Sequence, residues 1–295
     1  MLFISLQALK NYRAKTHCTL PGLRLKTRQE AINFVNERGY VYFWPIQEVV
    51  LPSLWTAVAG DRPVADAHDD PGHVTWGWKD SLLGERVWYY AKVLRKRATI
   101  ISLDVTPYFY ALSENYGSPE DDYLTLYEQG RLTQEARAVY EALLKEGRLD
   151  TIALRKATRM TSKDSDARFN KAITDLQADF KILPVGVSQA GRWNYAFYYD
   201  IVTRHYPDLP DRTHFIGERQ ARRKLAELYL RSVGAAQVRD LTRLFGWMPS
   251  EAERALDDLV RSGEFVSELT LVRTKGAWVG VREIVDEGDT ALAHV

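Results

Sequence analysis

At three places along the chain, apolar residues recur at helical spacing, stop, and resume as an extended run. Ala31-Ile32-Asn33-Phe34-Val35 leads to Gly39-Tyr40-Val41, and Ala255-Leu256-Asp257-Asp258-Leu259 leads to Gly263-Glu264-Phe265 at the same spacing. Ala172-Ile173-Thr174-Asp175-Leu176 leads to Phe180-Lys181-Ile182, again at that spacing but without the glycine. Each segment reads as helix, turn, strand. Repetition of this kind fixes an architecture before any single element does.

The second and third repeats also match upstream. Gly147 precedes Leu154 by the same interval as Gly234 precedes Leu241, and an amphipathic helix runs into each glycine, over 135–145 and 220–231. A short helix carrying Leu154-Arg155 or Leu241-Thr242 follows, then a turn and the last helix. Helix, short helix, turn, recognition helix and a two-stranded wing is the winged-helix plan. Wing strands are expected at 180–187 and 193–199, joined by Ser188-Gln189-Ala190-Gly191, and in the third repeat at 263–272 and 278–284. The stretch 52–127 departs from the pattern. It holds Pro63 and Pro71, a strand-like run at 99–105 and the aromatic cluster 108–110, and reads as an insertion packed on the first unit. The expected fold is therefore α+β, predominantly α, with about three tandem winged-helix units: 1–130 with the aromatic-rich insertion, 131–212, and 213–295.

Composition narrows the class. Of the 295 residues, 45% are hydrophobic and 27% charged, the balance of a folded globular protein rather than a disordered one. A single cysteine, Cys18, excludes an internal disulfide and a cysteine-rich zinc site. The apolar start lacks a basic region before it, and no apolar run reaches the roughly 18 residues of a membrane span, so a cytoplasmic protein is expected. A formal charge of +1 excludes a globally basic nucleic-acid binder and leaves DNA affinity to local patches. No P-loop, dinucleotide fingerprint or Ser-His-Asp order appears, and no cofactor is expected.

The densest basic stretch is Arg155, Lys156, Arg159, Lys163, Arg168 and Lys171, set against Asp164 and Asp166 around the second repeat's turn and recognition helix. Phosphate contacts would sit there; the plainer reading is a solvated helical face. Arg222 and Arg223, with Arg219 and Lys224, form a second cluster at a helix start, and Arg95-Lys96-Arg97 precedes a strand. In the second wing turn, Arg192 and Trp193 can probe a minor groove or wedge between base steps, although a wing tryptophan more often packs on its own domain. Trp76, Trp78 and Lys79, together with Trp88-Tyr89-Tyr90, offer rings that can stack on an extruded base; for most of them burial in a core is the simpler account. His68, Asp70 and His73, near Asp66 and Asp69, have metal-ligand side chains but no metal spacing, and Pro71-Gly72 inside the set favours a capped polar loop. No metal is expected.

With three such repeats and the segment Gly39-Tyr40-Val41-Tyr42-Phe43-Trp44-Pro45-Ile46, the chain resembles the AlkZ/YcaQ-type DNA glycosylases, tandem winged-helix proteins that excise bulky alkylated or crosslinked bases. The resemblance runs from about Thr27 to Ile284 and implies a DNA partner. In that family the segment after the first recognition helix reads Gly-apolar-apolar-Gln-x-Gln or Gln-x-Asp, and its two polar side chains position water at the sugar. Base release builds positive charge on the sugar carbon, and a suitably placed acceptor lowers that barrier. Here those positions are Tyr42 and Trp44. Neither ring replaces a carboxylate or amide, and an indole only donates. Family members also carry a further C-terminal β-rich domain, so loss of a DNA clamp is expected after the third wing.

The reading that follows is a DNA-binding protein related to repair glycosylases, recognising damaged or modified DNA without efficient base excision. Rival readings stay open. One is an active glycosylase with a relocated catalytic group, for which Gln47, Glu48, Asp69, Asp70 and Asp80 are the available substitutes. The others are a transcription regulator and a protein-interaction module, because fold alone does not settle function.

Overall fold

The computed structural model describes residues 2–115, 117–191, 194–271 and 274–287. It is a mixed α+β structure that divides into two compact units, one formed by 1–75 with 218–295 and the other by 76–217. The first and third repeats thus share a unit, and the second repeat has one to itself. Residues 76–130, expected with the first repeat, cluster instead with the second.

In the unit 76–217, helix Gln134–Glu146 ends at Gly147, whose φ of 80° closes the helix in a conformation other residues resist. Strand Leu149–Asp150, helix Thr151–Ala157, helix Asp166–Ala178 and the hairpin Ile182–Ser188/Ala196–Ile201 follow. The sheet order places the short strand beside the second hairpin strand, with Leu149 opposite Tyr199 and Ile182 opposite Ile201. Val139, Leu143, Leu154, Phe169, Leu176 and Ile182 form the core between helices and sheet. A second hairpin, Trp88–Lys92/Ala98–Ser102, belongs here because its rings are core residues: Tyr89 is fully buried and stacks on Phe180 at 4.8 Å.

Phe180 occupies the position where the other repeats have Gly39 and Gly263. All three have positive φ, at 54°, 80° and 81° respectively. The left-handed conformation costs a non-glycine residue about 1–2 kcal/mol. Burying a phenylalanine against Tyr89, Phe109 and Tyr110 outweighs that cost. Phe180→Gly is accordingly expected to lower stability by about 2–3 kcal/mol, the loss of a buried ring less the relieved strain. Urea unfolding checks this, and a neutral or stabilising result would contradict it.

In the other unit, helix Glu218–Val233 ends at Gly234, and strand Ala235–Ala236, helix Val238–Phe245, helix Pro249–Arg261 and the hairpin Phe265–Leu271/Trp278–Val281 repeat the same succession. The sheet order again sets the short strand beside the second hairpin strand, with Gly280 opposite Ala235. Strand Leu2–Ile4 extends this sheet, running parallel to Phe265–Leu271 with Phe3 opposite Thr270, so the apolar start is a sheet strand. The following helix, Leu6–Thr16, caps helix Glu218–Val233 with its side chains. Tyr12 donates to the Arg231 carbonyl at 2.8 Å, Thr16 to Ser232 at 2.7 Å, and Arg13 Nε to Val233 at 2.9 Å. These are last-turn carbonyls that have no partner inside their own helix. The first repeat, helix Arg28–Arg38 and strand Tyr40–Tyr42, packs on the same helix, with the Tyr40 hydroxyl donating to the Leu225 carbonyl at 2.7 Å.

Among the described residues no helix is long and apolar enough to cross a membrane.

Candidate functional site

The segment at the family motif positions is held from both sides. Tyr42 N–H donates to the Pro52 carbonyl at 2.9 Å, and Trp55 N–H to the Phe43 carbonyl at 3.1 Å. Tyr42 is 0% exposed. Trp44 is half-buried, edge-on to Phe43 at 4.8 Å and to His73 at 5.9 Å, with Trp55 tilted against it at 6.3 Å. Both positions are filled with packed rings. A cavity of about 620 Å3 opens beside the next residues, lined by Pro45, Ile46 and Leu51 together with Lys10, Arg13 and His17, and neither Tyr42 nor Trp44 lines it.

The carboxyl and amide groups available to replace the motif are dispersed. Gln47 and Glu48 are exposed, and the Glu48 carbonyl accepts from Arg243 at 3.2 Å. Asp69 is exposed. Asp70 accepts from Arg62 at 2.6 Å and from the Gly72 N–H at 2.7 Å, and both bonds hold its carboxyl below the usual carboxylate range. Asp70 thus starts the turn Pro71–His73 as a cap. His73 Nε2 lies 3.0 Å from the Ala65 carbonyl. The Asp70/His73 loop is therefore a capped polar turn, and among the described residues no three His, Cys, Asp or Glu side chains gather to hold a metal.

Asp80 belongs to a different constellation, within the unit 76–217. Helix Val74–Leu82 brings Trp76, Lys79 and Asp80 together at spacings of three and four, and the residue just before strand Ala196–Ile201 supplies Tyr195. The Tyr195 hydroxyl accepts from Lys79 Nζ at 3.0 Å and from Trp76 Nε1 at 3.3 Å, and donates to Asp80 Oδ1 at 2.9 Å. Lys79 also pairs directly with Asp80 at 2.5 Å. Its ammonium lies 4.6 Å from the Phe197 ring centre and 5.3 Å from that of Tyr90. Burial lowers the Lys79 pKa, and its hydrogen bond to Asp80 works against that shift. A cation this deep is tolerable only because a carboxylate, a hydroxyl and ring faces replace its water. Trp76 and Lys79, two of the expected pocket residues, are thus joined, and Trp78 is half-buried on the same helix. Tyr195 was missed: it lies 116 residues from Lys79, and no local pattern links them.

The basic cluster separates into engaged and open residues. Arg155 pairs with Asp166 at 2.8 Å, donates to the Met160 carbonyl and lies 4.1 Å from the centre of the Phe169 ring. Arg168 pairs with Glu135 at 3.1 Å, and Lys171 pairs with Asp175, which Lys96 also contacts at 2.5 Å. Lys156, Arg159 and Lys163 are exposed and make no ion pair among the described residues. In the other unit, Arg222 is clamped between Glu218 and Glu251, at 2.7 Å from each, and Arg219 forms a forked pair with Asp258. Arg223 is half-buried beside them. Arg192 and Trp193 lie outside the described residues.

Two units each carrying the same helix, strand, helix, helix and hairpin succession define a mixed α+β class, and comparison with known proteins gives it a family. The AlkZ-related family profile matches residues 25–246, most of the chain, and the protein belongs to that family. Its fold is similar to that of the Streptomyces sahachiroi DNA glycosylase AlkZ, with a TM-score of 0.56 over 95% of this chain and 71% of that one, at 11% identity. No curated protein sequence matches it.

Proposed function

We propose that this protein binds DNA through tandem winged-helix units and recognises damaged or modified bases without the excision chemistry of a glycosylase. The single observation that carries the reading is the fate of the motif positions: Tyr42 is completely buried and Trp44 is wedged among Phe43, Trp55 and His73. Neither side chain is placed to orient water at a sugar. Winged-helix units are supported by the shared sheet order of the second and third repeats, with the first repeat a reduced copy on the third. DNA as the partner is supported by family membership, by the similar fold of a DNA glycosylase, and by the open cations at the second repeat's turn.

The test is binding to plain duplex and to duplex carrying a bulky alkylpurine across a salt series, with assay for abasic product in the same samples. Salt-dependent binding with lesion preference and no abasic product is expected. Abasic product would instead establish an enzyme with a relocated group, and absence of binding at low salt would favour a protein-interaction role.

The open cations make a sharper prediction. Replacing Lys156, Arg159 and Lys163 together with glutamine is expected to flatten the log affinity against log salt plot by about 2–3, close to one unit per lost phosphate contact. Arg222→Gln, which removes a cation already held by two carboxylates, is expected to leave the slope unchanged. Equal slopes for the triple variant and the wild type would remove this face from the interface.

A further inference from the structure

We infer that Trp76 is a stacking platform for an unpaired base in DNA, aimed by Lys79 and Asp80 through Tyr195. The inference rests on the DNA-binding reading above and assigns it a contact that the motif segment does not supply. Three observations converge on it.

The first is an exposed ring with a fixed direction. Trp76 is 43% exposed, far more than the fully buried Trp55 or nearly buried Trp88. An exposed indole ordinarily turns freely, but this one donates its N–H to the Tyr195 hydroxyl at 3.3 Å and stands edge-on to that ring at 77°. Tyr195 cannot swing away, because its hydroxyl also accepts from Lys79 and donates to Asp80. A buried lysine paired with a carboxylate is a costly way to hold a surface ring that has no task.

The second is Gly77, the next residue of the helix. Glycine inside a helix is less stable than alanine, and a Cβ here would meet nothing within 4 Å. Packing among the described residues therefore gives no reason for glycine. A bare stretch of backbone beside a solvent-facing indole lets a flat partner approach closely.

The third is charge in the same unit. Gly191 lies in the same connection as Tyr195, between strands Ile182–Ser188 and Ala196–Ile201, and a Cβ there would lie 3.2 Å from Ile152 at the start of the helix that carries Lys156. Lys156, Arg159 and Lys163 follow in that helix and the turn after it, open to solvent. An aromatic face and open cations carried by one unit are the combination that binds nucleic acid by stacking and phosphate contact, tolerant of sequence because every base has a π-face.

The experiment uses the full chain with two probes of one sequence: a fully paired duplex, and a duplex with one base set opposite a tetrahydrofuran abasic analogue. Trp76→Ala is expected to lose about tenfold or more in affinity for the unpaired-base probe while keeping its affinity for the paired duplex. Trp76→Phe, which preserves a stacking face, should recover most of that loss. Tyr195→Phe, which removes the hydroxyl that accepts from the indole N–H but keeps the indole, should fall between. Unchanged preference in Trp76→Ala, with the wild type binding both probes, overturns the platform and leaves DNA binding intact. Failure of the wild type to bind either probe at low salt overturns both.

Discussion

Gly234→Ala is expected to be among the most damaging single-methyl changes available in this protein, lowering stability by about 3 kcal/mol or more. Two costs add. The residue has a φ of 81°, so any side chain incurs left-handed strain. The new Cβ would also lie 2.8 Å from Tyr12 Cδ1, 3.0 Å from Leu9 Cδ1 and 3.1 Å from Ile284 Cδ1. Leu9 and Ile284 are buried and cannot turn away. Gly263→Ala separates the two costs: its φ is also 81°, but a Cβ there meets nothing within 4 Å, so only the strain of about 1–2 kcal/mol should appear. Urea unfolding of the two variants measures the difference, and equal losses would show that the contacts with the N-terminal helix are slack.

The second large effect concerns acid. His17 ends the N-terminal helix, and its Nε2 is enclosed without a hydrogen-bond partner among the described residues. Burial, aided by the nearby Arg13 guanidinium, lowers its pKa from 6.5 to about 4. The unfolded chain takes up a proton as pH falls through 6.5, whereas the folded protein does not until about pH 4. In that window the unfolded state binds more protons. The stability associated with neutral His17 is therefore complete above pH 6.5 and is lost on acidification, by about 2–3 kcal/mol at pH 4. His17→Gln cannot titrate and should show a flatter stability profile between these limits. A wild-type profile as flat as that of the variant would exclude His17 as the acid-sensitive group.

Much of the fold was legible because its punctuation is local. Glycines at 39, 147, 234 and 263 stop helices where the apolar spacing says they stop, and all have positive φ. The hairpins of the second and third repeats fell within a few residues of their expected limits. Strand Leu2–Ile4 was not legible: three residues are too few to show alternation, and the strand's parallel partner begins at Phe265. The placement of 76–130 was misjudged for a related reason. What assigns Tyr89 to the second repeat is its stacking on Phe180, a contact between segments with no shared pattern.

The candidate site divides along the same line. The sequence marks where cations are dense, but a cation's availability depends on carboxylates from other elements. Glu251 and Asp258, on helix Pro249–Arg261, engage the arginines of helix Glu218–Val233 that otherwise read as a basic patch. Asp166 engages Arg155 in the same way, while Lys156 beside it stays open. Trp76 and Lys79 could be nominated from aromatics interleaved with polar residues; the helix that carries them and the hydroxyl that joins them could not.

The N-terminal helix and strand make their contacts with segments made more than 200 residues later. On a ribosome this imposes an order of events. The contiguous stretch 76–217 can complete its own core as soon as it emerges, while Leu9, Tyr12 and the strand at Leu2–Ile4 wait for helix Glu218–Val233 and the last hairpin. During that interval the nascent chain carries these apolar residues unsatisfied, tethered to a finished unit. Its yield should therefore respond more to translation speed and chaperone supply than its final stability would suggest.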